Sequence, residues 1–275
     1  MEDYALRFTP AAARRWSFLN VANTAFGGVS FLALEMIGGI VFLQYGFSNA
    51  CISLLLGVII IFLLSLPISY YSSRYGIDLD LLTRGAGFGY IGSTLTSLIY
   101  ASFTFIFFAI EGAILSDIIK MCLGIPLWLG YIISSVVIIP IVAKGFTLIS
   151  RFQRWTVLPW LLLQMLPFFV IAWKQSLPIK EWMTYPGVHG NATLALVSVG
   201  EALSVFLSVI TQIGEPDDFF RFLPVPTVTR QKWAWWSVIL PCVAGWIFPG
   251  GLQTLAGMLL ASVAPSQGWR QRERS

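Results

Sequence analysis

Long apolar blocks separated by short polar segments dominate the pattern of this chain. Each block holds about 20 or more mainly apolar residues, which is enough for a helix to cross the roughly 30 Å hydrocarbon core of a bilayer. Seven such blocks lie at residues 18–43, 50–71, 89–115, 121–143, 155–173, 193–214 and 233–263. The pattern predicts an all-α, polytopic membrane protein with about seven transmembrane helices.

Composition supports this class and excludes others. Charged residues make up 11% of the 275 residues, hydrophobic residues 57%, and the mean hydropathy is +0.78. Soluble domains are about a quarter charged, so a soluble enzyme, a disordered chain and a nucleic-acid module are excluded. The sequence has no phosphate-binding Gly-rich loop, nucleophile elbow or zinc-protease motif, and His189 is the single histidine. We therefore expect no enzyme activity, no catalytic residue, no resident metal, no cofactor and no nucleic-acid partner; the lipid bilayer is the expected partner.

The distribution of Lys and Arg predicts the orientation. With the N-terminus in the cytoplasm, 11 Lys and Arg residues of the loops and the arm lie inside and 3 lie outside, as the positive-inside rule requires. We predict a multi-pass protein of the inner (plasma) membrane with a cytoplasmic N-terminus. Its segments are a cytoplasmic arm at 1–17, an external loop at 174–192 and an atypical Arg-rich tail at 264–275 on the outer side.

The first block carries polar residues in its middle. Small residues such as Gly27 and Gly28 are explained by close helix packing. Asn23, Thr24 and Glu35 are not, because polar groups at membrane depth need partners in a bundle interior or a wet cavity. The block therefore predicts an unwound segment at a transport site.

The third block places aromatic rings and a carboxylate on one helical face. Tyr100, Phe103, Phe107 and Glu111 follow one another at intervals of 3, 4 and 4 residues. An aromatic stripe alone is typical of packing, but an ionisable residue inside a membrane segment is a functional candidate. Phe107 and Glu111 are therefore candidate substrate-binding residues for a flat heterocycle.

The sixth block carries a comparable polar face. If the block is one α-helix, four polar residues share that face, which is either a binding surface or a buried polar seam: Glu201, Ser208, Gln212 and Glu215. The helix should end at the following Gly-Glu-Pro sequence. We expect Asp217 and Asp218, which come next, to be solvated caps or ion-pair partners of Arg221.

Two segments five spans apart, 31–38 and 206–214, are similar to each other, as in transporters built from inverted repeats. Four further stretches follow in a specific order: Gly38-Gly39, the loop 74–84, Phe88-Gly89 with Gly92-Ser93, and Asp218-Phe219-Phe220-Arg221-Phe222. On these stretches, and over about residues 14–264, the chain resembles the nucleobase–cation symporter family, which includes purine/cytosine permeases and hydantoin transporters.

The resemblance implies the five-plus-five inverted-repeat leucine-transporter fold. Residues 18–173 would form the first repeat and 193–263 the first two helices of the second. Substrate would lie between broken helices 1 and 6. The resemblance implies contacts at Phe107, Glu111, Ser208 and Val209, and the two similar segments add Phe31 and Gln212. The predicted substrate-binding set is therefore Phe31, Phe107, Glu111, Ser208, Val209 and Gln212. The coupling ion would be Na⁺ or H⁺. Its implied site is formed by the first-helix backbone, near Ser30, Ala33 and Leu34, and by an eighth helix.

Two departures from the family qualify these expectations. The segment 84–88 is one residue longer than in typical relatives, and an eighth helix has no counterpart in the seven blocks. We expect a permease for cation-coupled, alternating-access uptake of a nucleobase or related small heterocycle, incomplete in this chain. A transporter-like ligand-sensing membrane module and a non-functional truncated remnant are the alternatives.

Overall fold

The computed structural model describes residues 7–174, 177–188, 193–224, 229–240 and 247–272, and these ranges contain helices and no strand. The α-helices, in chain order, are α1 (Phe18–Gly27), α2 (Ala33–Tyr75), α3 (Leu79–Thr83), α4 (Gly89–Leu123), α5 (Leu127–Ala143), α6 (Phe146–Lys174), α7 (Leu177–Thr184), α8 (Leu196–Leu207), α9 (Asp217–Phe220), α10 (Thr229–Val238) and α11 (Ile247–Arg272). The first six residues, His189 and the last three residues lie outside the description.

The first apolar block is broken in its middle, as its polar residues predicted. Helix α1 begins after Ser17, whose side chain accepts a hydrogen bond from the backbone N–H of Asn20, and it ends at Gly27. Residues 28–32 are not helical, and α2 begins at Ala33. The break leaves the backbone N–H groups at the start of α2 without partners inside their own helix.

The first and second blocks are separated by a kink that lies within the predicted linking segment 44–49. Helix α2 continues from Ala33 to Tyr75, and its one non-helical residue is Gly46, with φ 79° and ψ 171°. Residues with a Cβ rarely adopt this conformation. A single glycine therefore makes the bend for which a loop was expected.

The segment 84–88, for which a length difference from relatives stays a prediction, lies between two helices. Residues Arg84–Phe88 form a π-helical turn between α3 and α4, with Gly87 at φ 111° and Gly89 at φ 64°. A π-turn accommodates one additional residue in a helical segment. The segment is therefore a local bulge, and α4 continues over 35 residues after it.

The sixth block differs from the prediction, and the seventh is described in part. Helix α8 ends at Leu207 and the chain continues as a 3₁₀ helix over Ser208–Gly214, so the polar face predicted for one continuous α-helix is not kept. The described residues of block 233–263 belong to α10 and α11. Residues 241–246, including Pro241 and Cys242, lie outside the described part of the chain.

The chain forms two compact units. The first unit comprises Met1–Ala33, Leu64–Val157 and Thr211–Trp246. Its core is a cluster of apolar side chains from α1, the segment around α9, and α10 with the residue that follows it: Val21, Ala25, Phe220, Leu223, Trp235 and Ile239. Each side chain of this cluster is at most 3% exposed, which is typical of a close-packed interior.

The first unit also buries charged groups. Arg14 is 7% exposed; its guanidinium donates to the carbonyl oxygens of Leu223 (2.8 Å), Arg74 (3.2 Å) and Ser73. Burial lowers the pKa of Arg14 from its ordinary value. These bonds fasten the N-terminal arm to the end of α2.

A second buried cation lies after α9. Arg221 is 3% exposed and pairs with Asp78 at 3.5 Å, while Asp218 lies 3.9 Å away. Asp217 is completely buried, and its carboxylate oxygens accept no hydrogen bond from the described residues. The expectation that Asp217 is a solvated cap is therefore wrong, because the chain after the 3₁₀ helix turns back into the unit.

The second unit comprises Leu34–Leu63, Leu158–Ile210 and Ile247–Ser275. Two of its helices pack backbone to backbone through glycines: a Cβ on Gly257 of α11 would collide with the Glu35 carbonyl group, and one on Gly38 would lie 2.9 Å from the Thr254 carbonyl carbon. Small residues at such crossings are typical of membrane helices. Glu35 itself lies in the first turn of α2, where the helix dipole stabilises a carboxylate.

The segment predicted as an external loop is partly helical. It contains α7 and a turn that folds back on α2, with Tyr185 stacked on Phe42 at 4.8 Å and hydrogen bonds from Val188 N–H to Leu43 O (3.0 Å) and from Phe47 N–H to Tyr185 O (3.0 Å). The loop thereby covers the bend at Gly46.

Several helices are long and apolar enough to cross a bilayer. Within the described residues four qualify by length and composition, at Ala33–Tyr75, Leu79–Leu123, Thr147–Ile171 and Leu196–Phe220, and two shorter apolar helices lie at Leu127–Ala143 and Ile247–Val263. Large apolar side chains on them are exposed, for example Ile91 at 85% and Phe169 at 70%. Such faces fit a lipid environment and would be unfavourable in water.

Candidate functional site

A cavity of about 300 Å³ lies in the first unit beside the break in the first block. Its wall combines residues of the break, of α4, of α6 and of the segment after α8: Gly27, Gly28, Ser30, Phe31, Thr104, Phe107, Phe108, Glu111, Gln153, Gln212 and Glu215. The volume is that of a small-ligand site. The wall holds aromatic rings, amides and carboxylates together.

Glu111 connects α4 to the broken segment. Its Oε1 accepts a hydrogen bond of 2.7 Å from the backbone N–H of Ala33, the first residue of α2. This N–H has no carbonyl partner within the helix, and a carboxylate at a helix N-terminus is also favoured by the helix dipole. The half-buried Glu111 therefore closes one end of the break and presents its remaining acceptor capacity to the cavity.

Aromatic rings form the apolar part of the wall. The rings of Phe31 in the break and Phe107 in α4 pack edge to face, with their centroids 5.6 Å apart, and the ring centroids of Phe103 and Phe107 are 4.5 Å apart. Edge-to-face and offset pairs are favourable arrangements of aromatic rings. The stripe predicted on the third block is thus present, and it supports a ring against which a flat molecule can lie.

The segment after α8 contributes an amide and a second carboxylate. Gln212 is 8% exposed and its side chain makes no hydrogen bond within the described ranges. Glu215 is half-buried, and its Oε1 lies 3.5 Å from the position that a Cβ on Gly28 would take. The sequence placed Glu215 on the polar face of the block but left it out of the predicted binding set.

Gln153 of α6 is a wall residue that the sequence did not indicate. The Gln153 side chain packs on Gly27: a Cβ added to Gly27 would lie 2.6 Å from the Cγ of Gln153. The Oε1 of Gln153 is buried without a hydrogen-bond partner in the described part of the chain. The adjacent Arg154 donates to the side-chain oxygen of Asn20 in α1. Since neither residue is part of a periodic pattern, the sequence contains no signal for these contacts.

The structure brings together four of the six predicted substrate-binding residues: Phe31, Phe107, Glu111 and Gln212. Ser208 and Val209 belong to the second unit and are not in the wall of this cavity. The Ser208 hydroxyl instead donates to Val205 O at 2.7 Å. The change to a 3₁₀ helix at Ser208 is the physical reason, because it alters which residues of the segment share a face.

The predicted cation-binding residues are divided in the same way. Ser30 lies in the wall, and its hydroxyl donates to Gly27 O at 2.6 Å. Ala33 contributes its N–H to Glu111, and Leu34 is the first residue of the second unit. Their role in holding an ion remains a prediction.

Truncating Glu111 to alanine is expected to loosen the start of α2. The buried N–H of Ala33 would lose its acceptor, which costs about 1–3 kcal/mol. Hydrogen exchange measured on peptides covering 28–36 should therefore accelerate in Glu111→Ala. Asp117→Ala is the control, since Asp117 is exposed on the same helix. Equal exchange in the two variants would contradict the capping role.

Comparison with known proteins identifies the family. A family model described as "permease for cytosine/purines, uracil, thiamine, allantoin" matches residues 9–267. Neither the curated proteins nor the solved structures contain a chain that matches. The matched range includes every residue of the cavity wall, and the apolar helices are those of a polytopic membrane protein. The chain therefore belongs to this family of membrane permeases for cytosine, purines and related small molecules.

Proposed function

We propose that the chain binds a nucleobase or related small heterocycle in the cavity at the broken first block and moves it across the membrane by alternating access. The observation that carries this proposal is the meeting of aromatic rings, amides and carboxylates at a helix break in a member of a permease family. Broken helices are where transporters of this kind build their binding sites, because the freed backbone groups face a cavity.

The aromatic wall and the polar groups would have separate roles. The ring of Phe107, held by Phe31 and Phe103, would stack on a flat ligand. The carboxylate of Glu111 and the amide of Gln212 would take the donors on the ligand's edge. This division is typical of small-molecule sites, in which a few polar groups in an apolar pocket fix the orientation.

Uptake is proposed to be coupled to Na⁺ or H⁺, with the N-terminus in the cytoplasm of a cell whose inner membrane holds the protein. The orientation rests on the 11-to-3 distribution of Lys and Arg. Ser30, Ala33 and Leu34 are the proposed backbone contributors to a sodium site. Glu111 and Glu215 are the groups of the cavity that could carry a proton.

Binding to the purified chain in nanodiscs is expected for at least one of five radiolabelled compounds: cytosine, hypoxanthine, uracil, thiamine and allantoin. Phe107→Ala should weaken this binding by about tenfold, because the stacking surface is lost. Phe105→Ala is the matched control, since Phe105 is on the same helix and 71% exposed. Equal loss in both variants, or no binding of any compound, would contradict the proposed site.

Coupling is tested in the same assay. If an ion is coupled to the substrate, it must change substrate affinity by the same factor by which the substrate changes ion affinity. Affinity should therefore depend on sodium at constant ionic strength, or on pH. Binding that is independent of both would contradict symport.

A further inference from the structure

The cavity wall has an unequal balance of charge. Two carboxylates, Glu111 and Glu215, line it, and no Lys, Arg or His is among the described wall residues. Neither carboxylate has an ion-pair partner in the described part of the chain. A neutral nucleobase would supply hydrogen-bond donors to these two carboxylates, but no positive charge to balance their negative charge.

The two side-chain amides of the wall also have polar atoms without partners. Gln212 is 8% exposed and lines the cavity, and its side-chain amide makes no hydrogen bond among the residues described, while its backbone carbonyl accepts one from Glu215 N–H. The Oε1 of Gln153 is buried in the same wall without a donor. Buried polar groups without partners are rare in folded proteins unless a ligand, ion or water completes them. The wall is thus complementary to a molecule that carries both donors and positive charge.

The aromatic rings favour the same type of ligand. Phe31 and Phe107 meet edge to face, so one ring can turn its face to a ligand while the other supports it. The face of an aromatic ring is its negative side and attracts a cation. A carboxylate near such a face strengthens the preference for positive charge over a neutral ring.

We propose that the cavity selects a positively charged, planar heterocycle, with a quaternary or protonated ring nitrogen, over an uncharged nucleobase. This inference rests on the proposed function and narrows its substrate class. The ring lies against Phe107, its charge is balanced by Glu111 and Glu215, and its edge donors bond to Gln153 and Gln212. Because Glu111 is already engaged with the N–H of Ala33, Glu215 contributes the larger part of the charge preference.

Two pairs of probes that differ in charge and little in shape test the proposal on the full chain in nanodiscs. The first pair is thiamine and its uncharged thiophene analogue, deazathiamine. The second is 1-methylnicotinamide and nicotinamide. We expect the cation of at least one pair to bind about tenfold or more tightly than its uncharged partner. This comparison uses the wild-type chain and does not depend on the folding of a variant.

Variants assign the preference to its groups. In Glu215→Gln the preference for the cation should fall by about tenfold, while Glu215→Asp keeps the charge and should retain most of it. Asp117→Asn removes one negative charge from an exposed position of α4 and should leave the preference unchanged. A cation preference that survives in the double variant Glu111→Gln/Glu215→Gln would overturn the assignment.

The outcomes separate this inference from the proposed function. Binding of cytosine or uracil with no preference for the cation in either pair would overturn the cationic substrate class and leave the permease site standing, with the carboxylates assigned to proton coupling. If neither the cationic probes nor the neutral bases bind, both proposals fail. Binding of a cation that is equally strong in Phe107→Ala would place it outside this cavity and would also overturn the inference.

Discussion

Replacing Arg221 by methionine is expected to lower the free energy of unfolding by about 3–5 kcal/mol, the usual cost of removing one partner of a buried ion pair. Arg221 and Asp78 are 3% and 4% exposed and lie 3.5 Å apart. Asp218 is at 3.9 Å from the same guanidinium and Asp217 is completely buried. Without Arg221, this part of the first unit would hold several carboxylates and lose the cation that offsets them.

The matched control is Arg74→Met, since Arg74 is exposed in the last turn of α2. Its loss should change stability by less than about 1 kcal/mol, as for other exposed charges. Thermal unfolding in detergent, followed by circular dichroism, compares the two variants. Adding Asp78→Asn to Arg221→Met should restore part of the loss, because one of the buried carboxylates is then neutral. Equal stability of Arg221→Met and Arg74→Met would refute a structural role for the buried pair.

An alanine at Gly257 is expected to separate two helices of the second unit and to cost about 2–3 kcal/mol, as overpacking of a close contact does. The added Cβ would collide with the Glu35 carbonyl group and would lie 2.6 Å from Glu35 Cα. Because these are backbone atoms, no side-chain rotation relieves the overlap. The consequence is movement of α11 away from the start of α2.

Gly200→Ala makes the same chemical change in α8 where nothing lies within 4 Å of the added atom. This variant should be neutral or more stable by up to about 1 kcal/mol, because alanine favours the helix more than glycine does. Unfolding of both variants under identical conditions measures the difference. If Gly257→Ala were as stable as Gly200→Ala, α11 could move away from α2 without a loss of unfolding free energy, which would contradict this prediction.

The break in the first block could be predicted because it follows from local chemistry. Asn23, Thr24 and Ser30 stand where hydrocarbon would favour leucine, and the structure ends α1 at Gly27 and begins α2 at Ala33. The face of α4 could be predicted for a related reason. Phe103, Phe107 and Glu111 are spaced by helical turns, and a helix inside a membrane keeps its period because its backbone has no other partner.

The wall contributed by the sixth block could not be predicted in full. An α-helix turns by about 100° per residue and a 3₁₀ helix by about 120°, so a face calculated for one drifts by about 20° per residue in the other. Over the seven residues of Ser208–Gly214 this drift moves Ser208 and Gln212 off a common face. Gln212 and Glu215 enter the cavity wall, and Ser208 and Val209 do not.

Three features follow from the amino-acid pattern alone: the membrane-protein class, the position of the helix break, and the aromatic and acidic face of α4. Each depends on the composition or periodicity of one segment in a solvent that tolerates few polar groups. Three other features appear only in the folded chain: Gln153 and Glu215 join the cavity wall, Asp217 is buried, and Gly257 contacts the backbone of Glu35. These features depend on packing between segments that are distant in sequence, and the pattern of one segment does not encode that packing.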